Sequence, residues 1–557
     1  MAELFVSLEL FCSEELEINI SCIGEARAQS LAFLLVCRYG LDAISIDGCL
    51  ALSLFSRNPM DTTTLPPIIQ QMLKPEFYPH SVSESIDLVQ THVSYVLLTG
   101  DYVYKLKKPV NFGFLDYSTL DKRKHFCHEE IRLNKRGAAE LYLDVVPITQ
   151  EGDRFVLGGT GEPVEYAVKM EQFPQETLLS TMYDRGELTE QHLIDLAVRL
   201  AQFHQNAPTN DYILSFGEVA QIRQAIDENY DQTVNYIGVA QTQAQFDETK
   251  AYTDKLFAEQ KAIFDDRVKH EWIRECHGDV HLRNICFWHN KILLFDCIEF
   301  NEPFRFVDVM FDIAYIIMDF DARERSDLSN LFLNTYLEQT GDWEGLQVLP
   351  LYLSRQAYVR AKVTSFLLDD PGVPDAVKQE SKQTAAQYYR LAWSYTQPKQ
   401  GKITMMSGLS GSGKSTIARQ LARETGAIQI RSDAVRKHLS GVTLNEKGDY
   451  SPEMTQKTYD RLLNLGVTLA SQGYSVILDA KYDRQAMRSP VMEKAQAAGI
   501  ELEILYCDVP EAVLRDRVGQ RQNDISDADL AVLAGQKMEA FTEAEQRFVK
   551  TMQGDEK

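Results

Sequence analysis

The chain has 557 residues, 44% of them hydrophobic and 25% charged, which is enough for about three domains with cores of their own. Its formal charge of −24 is one-sided: residues 399–557 carry 22 Lys+Arg and 22 Asp+Glu, leaving 35 against 59 upstream. The acidic upstream part argues against nucleic acid or an anionic membrane as its partner, and nine cysteines with no C-x-x-C or paired spacing argue against a disulfide framework or a zinc site and for a reducing, cytoplasmic compartment.

The first 59 residues differ in character from the rest of the chain. They hold Cys12, Cys22, Cys37 and Cys49 and an apolar run over 30–37 that is too short to span a bilayer. No basic segment precedes that run and no small-residue cleavage site comes after it, so no signal peptide is expected. At Met60 the pattern becomes M-D-T-T-T-L-P-P-I-I-Q-Q-M-L, a polar lead with prolines near a first helical turn. The working protein is expected to begin there, the rival reading being a small α/β piece packed on the next domain.

Residues 89–173 read as five antiparallel strands with one helix. V-S-Y-V-L-L and Y-V-Y-K-L-K-K flank the turn Thr99-Gly100-Asp101, V-V-P-I-T and R-F-V-L-G flank a second turn over 150–153, and V-E-Y-A-V-K-M closes the sheet. Between the hairpins, 119–136 is helical, with Cys127, Ile131 and Asn134 on one face. A lysine on the second strand and a glutamate on the single helix are the two ends of the ion pair that orients ATP phosphates in kinase folds. Lys105 and Glu130 are the candidates, with Glu129 as substitute. The alternative is that Lys105 is a solvated strand lysine, because Lys107 and Lys108 follow it and a charge run is usually surface.

Past Phe173 the pattern is helical, notably over 189–206, 240–263 and 351–368. In its midst stand C-H-G-D-V-H-L-R-N-I-C-F and K-I-L-L-F-D-C-I-E-F. Phosphoryl transfer needs an acidic side chain to receive the acceptor hydroxyl's proton and oxygen ligands to hold Mg²⁺ against the phosphates. His277-x-Asp279-x-x-x-x-Asn284 has that spacing: Asp279 as base, Asn284 as metal ligand, and Asp296, at the end of an apolar strand, as second ligand.

This loop resembles that of the aminoglycoside phosphotransferase-like kinases, and the resemblance covers roughly residues 91–395. It implies a two-lobed protein-kinase-like fold that phosphorylates small-molecule hydroxyls with ATP and Mg²⁺. Two features depart from protein kinases: no G-x-G-x-x-G covers the phosphates, and D-C-I stands where D-F-G would be, which argues against activation-loop control.

A polar linker, 396–402, precedes the neutral part. There a short apolar strand runs into Gly408-Leu409-Ser410-Gly411-Ser412-Gly413-Lys414-Ser415-Thr416 and then into a helix. In such a phosphate loop glycines turn backbone N–H groups onto the β- and γ-phosphates, Lys414 adds charge and the Ser415 hydroxyl can hold Mg²⁺. The remainder reads as a parallel sheet of βα units with strands near 403–407, 427–430, 475–478 and 502–507. Asp433, with Arg436 three residues on, sits where an acceptor would lie. Asp479 ends an apolar strand as a Mg²⁺-associated aspartate would, and Arg517 and Arg521, four apart, suit a lid helix over the transferring group.

The module resembles P-loop small-molecule kinases such as gluconate kinase and the zeta-toxin and chloramphenicol phosphotransferase group, whose D-x-x-R motif is matched by Asp433 and Arg436. The pair of modules resembles bacterial bifunctional proteins in which an aminoglycoside phosphotransferase-like domain is fused to a P-loop ATPase. The expectation is thus a multi-domain α/β chain, a kinase-like domain over 60–395 and a P-loop NTPase domain over 403–557. It would use ATP and Mg²⁺ at two sites on small-molecule hydroxyl acceptors, with no nucleic-acid or membrane partner. The alternative is a nucleotide-sensing regulator in which one module gates the other.

Overall fold

A computed structural model describes residues 65–83, 85–520 and 525–553. The expectations for residues 1–59, for a start at Met60 and for Arg521 lie outside the described residues.

Six antiparallel strands form the first sheet: β1 (Asp87–Gln90), β2 (Ser94–Leu98), β3 (Tyr102–Lys107), β4 (Tyr142–Glu151), β5 (Arg154–Leu157) and β6 (Pro163–Glu171), in the order β1-β2-β3-β6-β4-β5. The sequence reading has five; β1, only four residues long, is the addition. Gly100, at φ +106°, makes the tight β2–β3 turn that L-residues disfavour. Because β6 inserts between β3 and β4, β3 is an interior strand, and its side chains at 105 and 107 fall on one face. Helix α1 (Leu120–Ala138) packs on that sheet, its N-terminus capped by Thr119, whose Oγ1 accepts from the Lys122 N–H.

The second lobe is helical: α2 (Glu190–Gln205), α3 (Val309–Asp321), α4 (Ser326–Thr340), α5 (Leu349–Phe366) and α6 (Asp375–Tyr395). The helix expected over 240–263 is two, Gln243–Glu259 and Lys261–Lys269, broken at Gln260, which leaves helical geometry. Short strands β7 (Ile273–Glu275), β8 (Ile285–Trp288), β9 (Lys291–Leu294) and β10 (Phe306–Asp308) carry the turns between them; β8 pairs with β9, and β7 with β10. Residues Val309 through Phe320 of α3 are all buried, as a helix apolar on every side requires.

The third unit is a parallel sheet of order β12-β13-β11-β14-β15. Its elements are β11 (Lys402–Ser407), α7 (Lys414–Thr425), β12 (Ile428–Arg431), α8 (Ser432–Ser440), α9 (Pro452–Ser471), β13 (Ser475–Asp479), α10 (Gln485–Ala497), β14 (Glu501–Asp508), α11 (Glu511–Gly519), α12 (Leu530–Ala534) and β15 (Val549–Gln553). The four expected strands are present, with β15 added beside β14.

The short polar linker suggests separate cores, whereas one buried cluster runs through both units, taking Leu331, Leu337 and Leu346 from the helical lobe and Ile428, Ile430 and Leu462 from the parallel-sheet unit. Strand β12 is an edge strand, and its outer backbone groups are met by side chains of α4. Asn334 Oδ1 accepts from the Gln429 N–H at 2.7 Å, while Asn334 and Asn330 both donate to the Ala427 carbonyl at 3.1 and 2.9 Å. Tyr474 Oη donates to the Leu346 carbonyl, and Arg461 pairs with Glu344.

Replacing Asn334 by the apolar Leu leaves a largely buried backbone N–H of β12 without its acceptor, a loss of about 1–3 kcal/mol. The expected outcome is a lower midpoint of urea unfolding for Asn334→Leu, and a midpoint equal to that of the parent would show that the edge does not depend on α4.

Candidate active sites

In the first site, burial drives the pairing of charges. Lys105 Nζ lies 2.7 Å from Asp296 Oδ1 and 2.9 Å from Glu130 Oε1, joining strand, helix and the segment after β9 across 191 positions of sequence. Burial alone would lower the Lys105 ammonium, but Asp296 and Glu130 together hold it well above its ordinary value. The Glu130 carboxyl, fully buried, is pushed up by burial and pulled down further by Lys105 and Lys107, settling at about 2. Glu129 instead faces the exposed side and binds Arg132, so Glu130 is the partner of the lysines.

Lys107 is buried, against the reading of a solvated run. Its Nζ donates to Glu130 Oε2 at 2.6 Å and to Glu299, with Tyr117 Oη at 3.4 Å. Glu299 lies three residues beyond Asp296, so Lys107 ties the strand to the segment past Asp296.

The loop His277 to Asn284 is held from beneath. Asp312, buried on α3, accepts the His277 N–H at 3.0 Å, the Gly278 N–H at 2.8 Å and a contact from His204 Nε2 at 3.0 Å. Gly278 is at φ +86°, and a Cβ there would stand 2.7 Å from the Phe304 carbonyl oxygen, so only glycine fits. His277 bridges the two halves of the site through Nε2 to the Phe295 carbonyl at 2.9 Å, and the Ile298 N–H returns to the His277 carbonyl. Burial would raise the Asp279 carboxyl, but its contact with His281, 3.4 Å away, is first among the interactions that hold it below its ordinary value. Asn284 Nδ2 donates to the Asp279 carbonyl at 2.9 Å, which leaves the amide oxygen for another partner. Asp296 itself takes left-handed backbone, φ 63°, and its N–H donates to Tyr142 Oη.

In the second site, β11 runs into a loop whose glycines at 408, 411 and 413 all have positive φ. A Cβ on Gly408 would meet the Cys507 carbonyl oxygen at 2.8 Å, so the loop lies directly on β14. Lys414 is buried and donates to the Leu409 carbonyl at 2.7 Å; burial lowers its ammonium below the ordinary value, for no carboxylate among the described residues pairs with it. A buried cation with no carboxylate in direct contact among the described residues, at the N-terminus of α7, fits an anion such as phosphate. Asp479 is buried and accepts from Gln429 Nε2 at 2.9 Å, the same amide reaching the Ser415 carbonyl at 3.3 Å. A carboxylate, and the hydroxyl of a serine in that same neighbourhood of the chain, are oxygen donors of the kind that Mg²⁺ takes.

Asp433 opens α8 and receives Tyr450 Oη at 3.3 Å; burial pushes its carboxyl up against the pull of Arg431. Arg436 stacks on Tyr450, 4.5 Å from the ring centre, and donates to the Asp449 carbonyl and Thr455, so its guanidinium builds the wall around Asp433. Arg517 reaches the phosphate loop, its Nη1 3.6 Å from where a Cβ on Gly413 would stand. Sequence reasoning missed Lys107, Glu299, Asp312 and Gln429. Only Asp312 carried a signal, an isolated charge in an apolar helix.

With this geometry in place, the AAA domain family matches residues 403–542. Uncharacterized protein Rv2004c of Mycobacterium tuberculosis is 30% identical over 464 residues, covering 82% of this chain and 90% of that one. The chain belongs to the same family as that protein. Among solved structures, the Mycobacterium tuberculosis APS kinase CysC in complex with AMPPNP and APS is 26% identical with a TM-score of 0.20, covering 22% of this chain and 71% of its own. Aminoglycoside 2'-phosphotransferase-IIIa in its GDP complex is 12% identical with a TM-score of 0.37, covering 58% of this chain and 99% of its own. The fold is a unit of a six-stranded antiparallel sheet with a helical lobe, followed by a parallel-sheet unit that carries the AAA domain match. No helix among the described residues is long and apolar enough to cross a membrane.

Because the Glu130 carboxyl is lower in the folded chain than in the unfolded one, the stability it contributes is complete above about pH 4.5 and is lost as pH falls toward about 2. The difference in melting temperature between the parent and Glu130→Gln is expected to be largest at neutral pH and to shrink through that interval. A difference that stays constant with pH would contradict the buried ion cluster.

Proposed function

We propose that this protein is an ATP-dependent phosphotransferase with two nucleotide sites, each transferring the γ-phosphoryl group to a hydroxyl of a small molecule. The observation that carries the reading is the convergence of Lys105, Glu130, Asp279, Asn284 and Asp296, from segments far apart in sequence, on the two ends of the His277–Phe295 bridge.

In the first site Lys105, set by Glu130, would lie against the phosphates, and Asp279 would accept the proton of the acceptor hydroxyl, its depressed pKa keeping it ionised at neutral pH. The Asn284 amide oxygen and the Asp296 carboxylate would hold Mg²⁺ there, and Ser415 and Asp479 would hold it in the second site. Bound Mg²⁺ neutralises charge between the β- and γ-phosphates. In the second site the loop from Gly408 to Thr416 would cradle the phosphates with Lys414, Asp433 would face the acceptor, and Arg436 and Arg517 would shape the site around the transferring group; Arg521 belongs to the same proposal. The acidic first unit and the neutral second one favour different acceptors, a neutral or cationic hydroxyl compound first and an anionic one second.

A second reading, in which one site binds ATP and gates the other, is favoured by one contact. Gln429, whose N–H is bound by Asn334 of the helical lobe, holds Asp479 with its side chain.

The test is ATP stoichiometry and ADP release with a panel of sugars, polyols, aminoglycosides and nucleosides. Asp279→Asn is expected to lower turnover at the first site by about 10²-fold or more, and Lys414→Ala that at the second by a similar factor, each sparing the other site. Silencing of both by either change would establish the gating reading instead.

A further inference from the structure

The phosphate loop has an anchor that its motif does not contain. Leu409 packs beside Leu514, Val518 and Leu533. Next to it, the Ser410 N–H donates to Gln536 Oε1 at 3.0 Å, and Gln536 Nε2 donates to Ser410 Oγ at 3.0 Å. Gln536 stands two residues past α12, its own N–H bonded to the Leu533 carbonyl, so the carboxamide projects from a fixed turn. Three residues on, the Glu539 N–H donates to the Asp483 carbonyl, and Glu539 Oε2 accepts from the Gln485 N–H. Upstream, Asp527 accepts from the Gly448 N–H at 2.9 Å and from Tyr450 Oη at 3.0 Å, the same hydroxyl that reaches Asp433. One stretch, 527–539, therefore touches the acceptor side, the phosphate loop and the start of α10 in turn.

We propose that Gln536 is a positioning residue for the phosphate loop, its carboxamide holding the loop tip from outside so that the N–H groups of Gly411 and of Gly413 to Ser415 face inward for phosphate, while the Ser412 N–H closes the loop onto the Leu409 carbonyl. The inference rests on the reading of this loop as an ATP site. Three glycines give the loop more backbone freedom to lose on ordering than any other residue would. An anchor in place before binding removes that cost from the binding step. Glutamine has the right chemistry for such an anchor, because its oxygen takes the N–H, its nitrogen serves the hydroxyl, and it brings no charge toward a triphosphate. A lysine could not accept the N–H, and a glutamate would repel the ligand.

Full-length protein titrated with MgATP in a calorimeter provides the test, the binding component lost in Lys414→Ala being assigned to the phosphate loop. Gln536→Ala is expected to weaken that component roughly tenfold, as loss of two hydrogen bonds implies, while sparing the other component and the melting temperature of the ligand-free protein. Ser410→Ala, which keeps the N–H bond, is expected to weaken it less, and the two changes together no more than Gln536→Ala alone. An affinity within twofold of the parent in Gln536→Ala overturns the proposal, as does a fall in melting temperature with affinity unchanged, which marks a structural role alone. If Lys414→Ala removes no component, the phosphate-loop reading fails and this inference with it.

Discussion

A carboxylate buried in an apolar helix must find donors, and in this protein that requirement fixes the loop from His277 to Asn284. Asp312 has α3 packed around it and satisfies its oxygens with the N–H groups of His277 and Gly278 and the imidazole of His204. The loop therefore cannot drift without stranding a charge in the core. Asp308 caps the same helix and pairs with Arg267, whose other arm reaches Asp342 just past the end of α4. The loop and the inter-unit helix are thereby connected through α3 and the two buried ion pairs of Arg267, each partner costly to remove because the other would remain.

Charge balance explains the Lys105 side of the first site. Lys105 and Lys107 lie two residues apart on one face of β3, and two like charges side by side in a dry site would repel. Glu130 gives one oxygen to each, while Asp296 and Glu299 supply the remaining negative charge. The second site stands in the opposite condition, with a buried lysine bonded to a carbonyl and lacking a carboxylate partner among the described residues. One site has its counter-charges built in, and the other leaves an anion to bring them.

Motifs whose chemistry depends on local spacing were legible in the sequence. The phosphate loop, the His277 to Asn284 run and Asp296 are of this kind, as are the hairpins around Lys105 and the capped helix bearing Glu130. Residues that act through the fold were not. Lys107 looked like part of a surface run because three nearby lysines say nothing about which of them points inward. Gln429 and Gln536 are neutral amides with no spacing relation to the groups they hold, and Asn330 and Asn334, four apart, read as ordinary polar positions on a helix face. Strands β1 and β15 are too short for alternation to be counted, and their partners lie elsewhere in the chain. The interface between the units escaped for the same reason: a polar linker reports on seven residues, not on the faces it brings together.

The asparagine cover on β12 bears on how the chain is made. An uncovered edge strand is a template for pairing with another copy of itself, and a sheet that emerges before its cover exists is exposed to that fate. Here α4 is synthesised almost a hundred residues ahead of β12, and domains fold from the N-terminus as they leave the ribosome. The helical lobe is thus ready as a docking face when the strand appears, acting as a chaperone in cis. Reversing the order of the two units in the gene would preserve every residue of both sites and remove that protection.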